Sequence, residues 1–173
     1  MKGANKVGGM EAFLEKLSSY NILNNLLPGI VYCYLMESLL GNKVVNESLV
    51  ENIFIYYFIG MIINRIGSVL VEPICKKLKI VKYAEYNKYL DAIKTDEKIE
   101  VLLETNNTYR SFVAVLLCVV ISKIYLLVCN RLQIGKEVSI IIVLLGLIVL
   151  FIFAYRKQTN YIRNRVEKTS SHK

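Results

Sequence analysis

Long apolar runs separated by short charged blocks dominate the pattern of this chain. A helix needs ~17–25 mostly apolar residues to cross a bilayer, and four runs reach that length. They cover about residues 20–41, 49–72, 111–131 and 137–155. The first run is interrupted by Pro28-Gly29, which either kinks a helix or starts one. The pattern therefore predicts an all-α integral membrane protein with four transmembrane helices.

The segment between the second and third runs is polar but patterned. Apolar positions recur along it at helical spacing, at Tyr83, Tyr86, Leu90 and Ile93. Asp96 then stands where it can cap a second helix that continues into the third span. These stretches predict a helical hairpin between spans two and three. No repeat or long linker divides the sequence, so residues 1–173 are expected to form a single membrane domain.

Composition and charge support lipid as the solvent of this chain. Of the 173 residues, 54% are hydrophobic, and the mean hydropathy is +0.41. Soluble domains average about 45–50% apolar residues. The net charge is +8, and seventeen Lys and Arg residues fall within residues 1–18, 73–110 and 156–173, against three in the loops of the other side. The positive-inside rule therefore predicts that these three segments, with both termini, are cytoplasmic.

Several polar side chains lie inside the predicted spans. A cation there costs roughly 2.5–3.5 kcal/mol on insertion scales unless it pairs, snorkels or faces water. Arg65 is the clearest case, because no partner of opposite charge is obvious in another span. Helical spacing places Arg65 on one face with Ser68 and Glu72. The adjacent face, where glycines allow close helix packing, carries Gly60, Asn64 and Gly67.

A second intramembrane cation, Lys123, lies nearer the outer end of the third span. Glu37 and Glu51 lie at a comparable depth, so either could pair with it. Two interpretations of the intramembrane charges stay open. Either they only lock helices together or snorkel, or Arg65, together with Asn64 and Glu72, lines a hydrated interface or ion path. In the second case Arg65 sets an anion preference or pairs with Glu72 of a neighbouring copy.

The sequence offers no set of residues for catalysis or for metal binding. The single histidine, His172, lies in the tail, and the four cysteines form no C-x-x-C pair. Arg165 and His172 have the R-x6-H spacing of HEPN-type ribonucleases, but this terminal copy lacks the structural context of that motif. We therefore expect neither an enzyme nor a cofactor.

The second span and the segment after it resemble a known group of membrane proteins. The resemblance covers roughly residues 20–130 and is carried by Tyr57–Pro73, Lys76-Lys77, Asp96–Glu100 and Glu104–Arg110. These stretches are similar to small four-helix bacterial membrane proteins of anti-phage defence systems. Two kinds fit: Hailong-type membrane effectors, which open a channel when a nucleotide or oligonucleotide signal changes, and Kiwa-type membrane sensors, which work with a cytoplasmic DNA-binding partner. The resemblance implies the bacterial inner membrane.

The predicted architecture and the resemblance together allow three functions, which we rank. An oligomeric effector, either an ion channel or a membrane-disrupting protein, comes first, a sensor or scaffold that recruits a cytoplasmic protein second, and a small transporter third. Four helices pack around a filled centre, so a conducting path needs several copies, and we expect a homo-oligomer, hypothetically a tetramer. If the chain is such an effector, the resemblance implies that the phosphates of a nucleotide ligand contact Lys76, Lys77, Lys79 and Lys82, or Arg163 and Arg165. Otherwise these cations serve topology alone.

Overall fold

The computed structural model describes residues 24–41, 46 and 48–170. Every regular element among these residues is helical, which confirms the predicted all-α class. Helix α1 covers residues 24–40. The later elements are α2 (Leu49–Ile66), a π-helix (Gly67–Val71), α3 (Glu72–Lys77), α4 (Tyr86–Ala92), α5 (Lys98–Arg131) and α6 (Lys136–Ser170).

Among the described residues, three helical stretches are long and apolar enough to cross a bilayer: Leu49–Lys77, Lys98–Arg131 and Lys136–Lys168. They contain the second, third and fourth predicted spans. The first predicted span is described only from residue 24 onward, and the helix seen there is not among the three. The three long apolar helices indicate a membrane protein. The fourth span, the hairpin topology and the orientation of the chain stay predictions, and residues 1–18 lie outside the described residues.

The chain divides into two compact units, Met1–Ile63 and Asn64–Lys173. In the first unit, α1 and α2 approach each other at Gly29 and Gly60. A β-carbon added to either glycine would lie 3.0 Å from the backbone nitrogen of the other and would overlap a carbonyl group of the opposite helix. The two helices therefore meet backbone to backbone, a contact that only glycine permits at these positions.

In the second unit, the π-helix contacts both α5 and α6. Helix α5 begins just after Asp96, whose Oδ1 accepts the backbone N–H of Lys98 at 3.0 Å. It ends in a turn where Ile134 N donates to the carbonyl oxygen of Cys129 at 2.9 Å and Gln133 has a φ of 50°. This is the pattern of a Schellman ending, which reverses the chain into α6.

Apolar side chains cover much of the described surface. In α6 the residues from Val138 to Phe153 are mostly exposed, and Leu150 and Ala154 are its buried apolar residues in the described chain. A monomer in water rarely shows an apolar surface of this extent. Lipid or other protein chains therefore have to cover it.

Candidate functional site

A break in the regular hydrogen bonding of the second predicted span organises the site. In the π-helix Gly67–Val71, the backbone N–H of Glu72 donates to the carbonyl oxygen of Gly67, five residues back. Pro73 follows directly and has no N–H to donate. The carbonyl group of Ser68 thus loses both of its helical donors, because Glu72 bonds elsewhere and Pro73 cannot bond at all.

Lys157 of α6 supplies the missing donor. Its Nζ donates to the Ser68 carbonyl oxygen at 2.7 Å, to Ser68 Oγ at 2.9 Å and to Glu72 Oε2 at 2.9 Å. An ammonium group carries three hydrogens, so each of them has an acceptor. Lys157 therefore joins α6 to the π-helix and has no donor left for a ligand.

Glu72 is buried, with 5% of its side chain exposed, and three cations surround it. Besides Lys157, the Nζ of Lys76 lies 2.7 Å from Oε1, and Nη1 of Arg110 lies 3.1 Å from Oε2. A buried carboxylate is tolerated only when it is paired in this way. We call Glu72, Lys76, Arg110 and Lys157 the Glu72 cluster. With three cations and one carboxylate, its formal charge is +2.

Gly67 makes room for Arg110. A β-carbon at Gly67 would lie 3.6 Å from both Cγ and Nε of Arg110, and 3.4 Å from Cβ of Ala114. These are ordinary van der Waals distances, so the contact at Gly67 is looser than the backbone contact at Gly60. The Nε of Arg110 is buried there and has no hydrogen-bond partner among the described residues. The guanidinium group is thus held between Gly67 and the carboxylate of Glu72.

Two cavities include Glu72, Lys76 and Lys157 in their walls. The one on the α6 side has a volume of about 400 Å³ and also contacts Arg156. The other, which we call the tyrosine cavity, has a volume of about 450 Å³ and also contacts Arg110. Its aromatic lining consists of Tyr83, Tyr86, Tyr89 and Tyr161.

The tyrosine rings line the cavity, and one of them contacts a cation of the Glu72 cluster. Nζ of Lys76 lies 4.0 Å from the ring centroid of Tyr83, a cation–π distance. The ring centroids of Tyr86 and Tyr161 lie 6.0 Å apart. Burial raises the pKa of the Tyr89 phenol, and Glu100 and Tyr86 raise it further, against a smaller lowering by Arg165. The phenol of Tyr89 therefore remains a hydrogen-bond donor at neutral pH.

A polar contact fixes α4 against the distal part of α6. Nζ of Lys168 donates to the carbonyl oxygen of Asn87 at 2.6 Å and to Oδ1 of Asp91 at 2.9 Å. Together with the contact between Tyr86 and Tyr161, this holds α4 over the tyrosine cavity. The cavity is therefore lined by the π-helix, α3, α4, α5 and α6, and by Tyr83 and Ala84 between α3 and α4.

Arg65 lies apart from the Glu72 cluster. Its side chain is exposed and has neither an ion pair nor a hydrogen bond with any residue that the structure describes. Regular helical spacing put Arg65 and Glu72 on one face, but the π-helix between them adds about one residue to a turn, a rotation of about 100°. Glu72 consequently points into the unit, where its own chain supplies three cations. The pair between Arg65 and Glu72 of a neighbouring copy stays a prediction.

The other polar residues predicted within spans are spread over the two units. Asn64 is buried, and its Oδ1 accepts a short hydrogen bond from the hydroxyl group of Ser111. In the first unit Glu37 is exposed, and Glu51 accepts a hydrogen bond from Asn46 Nδ2 at 3.1 Å. Lys123 is exposed on α5 of the second unit. Its pairing with Glu37 or Glu51 stays a prediction.

The candidate phosphate contacts also separate. Lys76 belongs to the Glu72 cluster, whereas Lys77, Lys79 and Lys82 are exposed at the end of α3 and beyond it. Arg163 pairs with Glu167 at 3.6 Å. The positive charge of Arg165 contributes a lowering of the Tyr89 pKa, and His172 lies outside the described residues. No group of three metal-ligating side chains occurs in the part of the chain that the structure describes.

Sequence reasoning missed Arg110 and Lys157 as site residues. Both were counted only as cations that set topology, because neither periodicity nor spacing shows which distant carboxylate they meet. The available signal was the pair Glu72-Pro73, an acid and a helix breaker together at the end of an apolar run. An acid at that depth needs a cation, and the proline leaves a carbonyl group that needs a donor.

The chain matches none of the family models, curated proteins or solved structures with which it was compared. Its class therefore rests on the structure itself, which over its described residues is all-helical and has three helices that could span a membrane. The resemblance to defence-associated membrane proteins stays a prediction.

Proposed function

We propose that this chain is a subunit of an oligomeric membrane channel in which Arg65 lines the aqueous path. The observation that carries the proposal is the exposure of Arg65 in the middle of a lipid-length helix, without an ionic partner among the described residues. Along the axis it lies about 24 Å from Leu49 and about 10 Å from Glu72. An arginine so placed is costly against lipid, and a water-filled path between copies removes that cost.

The exposed apolar surface supports assembly. Large apolar side chains are exposed on α2, α5 and α6, where lipid or neighbouring copies can cover them. A single helical bundle has a filled centre, so conduction requires several copies. Within this proposal the four-span topology rests on the sequence. The role as an effector in bacterial anti-phage defence rests on the resemblance alone.

Anion flux into liposomes tests the role of Arg65. Purified wild-type protein should conduct anions, Arg65→Leu should reduce that flux at least about tenfold, and Arg65→Glu should shift the preference toward cations because the charge on the path is reversed. Lys123→Leu is the matched control, since it removes an exposed intramembrane cation from another helix. A membrane-inserted wild-type protein without flux would contradict the channel. Wild-type anion flux from Arg65→Leu would contradict the place of Arg65 on its wall.

A further inference from the structure

We propose that the tyrosine cavity binds a phosphate group, with Arg110 and Lys76 as its direct contacts. The phosphate belongs either to an anionic phospholipid headgroup or to a soluble phosphate compound, since both offer the same chemistry. This site goes beyond the proposed channel, because ligand binding can be measured without ion flux and does not involve Arg65.

Unused hydrogen-bond donors identify the two contact residues. Lys157 has an acceptor for each ammonium hydrogen. Arg110, with five guanidinium hydrogens, donates one to Glu72 and buries the hydrogen of Nε against Gly67. Lys76 donates one of three to Glu72. The terminal nitrogens of Arg110 and the ammonium group of Lys76 therefore keep donors for a ligand in the cavity that both residues line.

The excess of positive charge at the cavity favours an anion as its ligand. One cation suffices to neutralise Glu72, which is the sole carboxylate among the described residues that line the cavity, yet three cations surround it. Like charges this close repel one another in a partly buried environment, where screening is weak. A phosphate carrying one or two negative charges relieves this repulsion. The planar fork of arginine also matches two phosphate oxygens at once.

The cavity has the size and the lining of a ligand site. Its volume of about 450 Å³ lies within the ~300–1,000 Å³ that is typical of small-molecule pockets. Tyrosine hydroxyl groups add neutral donors, and the ring of Tyr83 already holds the ammonium group of Lys76 in position. An ion-pair cluster built for stability alone requires neither an open cavity nor spare donors.

Binding is best tested on delipidated protein in a neutral detergent. The soluble arm titrates inorganic pyrophosphate and follows the melting temperature. The lipid arm adds short-chain phosphatidylglycerol, with phosphatidylcholine as the comparison, and counts retained lipid by native mass spectrometry. Four variants accompany the wild type: Arg110→Gln, Arg110→Lys, Ala84→Trp and Lys77→Gln. Ala84 is exposed and lines the cavity, so tryptophan there should fill the space while all four residues of the Glu72 cluster are kept.

Wild-type protein should bind one of the two probes, and the arm that responds identifies the source of the phosphate. Arg110→Gln and Ala84→Trp should weaken binding at least about tenfold, or ~1.4 kcal/mol, and Arg110→Lys should weaken it less because the charge remains. Lys77→Gln removes an exposed cation outside the cavity and should bind as wild type. Absence of binding in both arms would overturn the proposal. Equal binding by wild type, Arg110→Lys and Ala84→Trp would overturn it as well, even if Arg110→Gln fails to fold.

Discussion

Lys157 donates to two polar groups of the second unit, of which only one depends on it alone. One is the Ser68 carbonyl group, which the π-helix and Pro73 leave without a helical donor. The other is the Glu72 carboxylate, which keeps Lys76 and Arg110 if Lys157 is lost. Removing Lys157 therefore costs mainly the unsatisfied carbonyl group, ~1–3 kcal/mol. The remaining cations limit the further penalty at Glu72.

Lys157→Met should lower the free energy of unfolding by ~1–3 kcal/mol, because methionine keeps the apolar stem and removes the three donors. Adding Pro73→Ala should recover part of this loss, since alanine permits a regular α-helix in which the N–H of Glu72 bonds to Ser68. Denaturant unfolding in detergent measures both changes. Lys77→Met, an exposed lysine, should change stability by under ~0.5 kcal/mol. An equal loss with and without Pro73→Ala would show that the carbonyl group is not its cause.

The π-helix marks where sequence periodicity stops describing the second span. Regular spacing correctly indicates a long apolar helix here, because hydrophobicity depends on composition and length. It does not predict correctly which side of the helix each residue faces, since the extra residue in the π-helical turn separates Arg65 from Glu72. The glycines also show what residue spacing can predict and what it cannot. The pattern singles out Gly60 for close packing, but its counterpart Gly29 follows only from the three-dimensional crossing of α1 and α2.

Alanine substitutions should rank the three glycines by the space around them. A β-carbon at Gly29 or Gly60 would overlap the backbone of the opposite helix, so either change should destabilise the protein by about 3 kcal/mol or more, the upper end for overpacking. Gly67→Ala meets only ordinary contacts and should cost under ~1 kcal/mol. Thermal unfolding in detergent compares the three. Equal losses at Gly60 and Gly67 would contradict the backbone contact between α1 and α2.

Over the residues that the structure describes, the chain is all-helical, and large apolar side chains are exposed along its long helices. Its charges are concentrated in a few segments of the sequence. Composition and run length were enough to predict this class and three of its long helices. They could not predict the Glu72 cluster, whose members come from helices far apart along the chain and meet only through tertiary packing. The orientation in the membrane stays a prediction from the distribution of cations, and it can be tested directly.

Single cysteines in a background without the native cysteines should report the orientation. Gln133→Cys lies in the turn between α5 and α6, on the side with few cations, and should react with a membrane-impermeant thiol reagent added outside intact cells. Lys88→Cys on α4 is exposed as well but should react only after the cells are opened. The reverse labelling pattern would place the Glu72 cluster on the outer side of the membrane.

The bond between Lys157 and the Ser68 carbonyl group also bears on how the protein is made. The two residues lie 89 positions apart, so the second helix leaves the ribosome well before its donor is synthesised. Until α6 arrives, water or the insertion machinery has to solvate that carbonyl group and the neighbouring carboxylate. The second unit can therefore reach its final hydrogen bonding only after translation of α6, and nascent chains stalled before residue 157 should be preferred targets of membrane quality-control proteases.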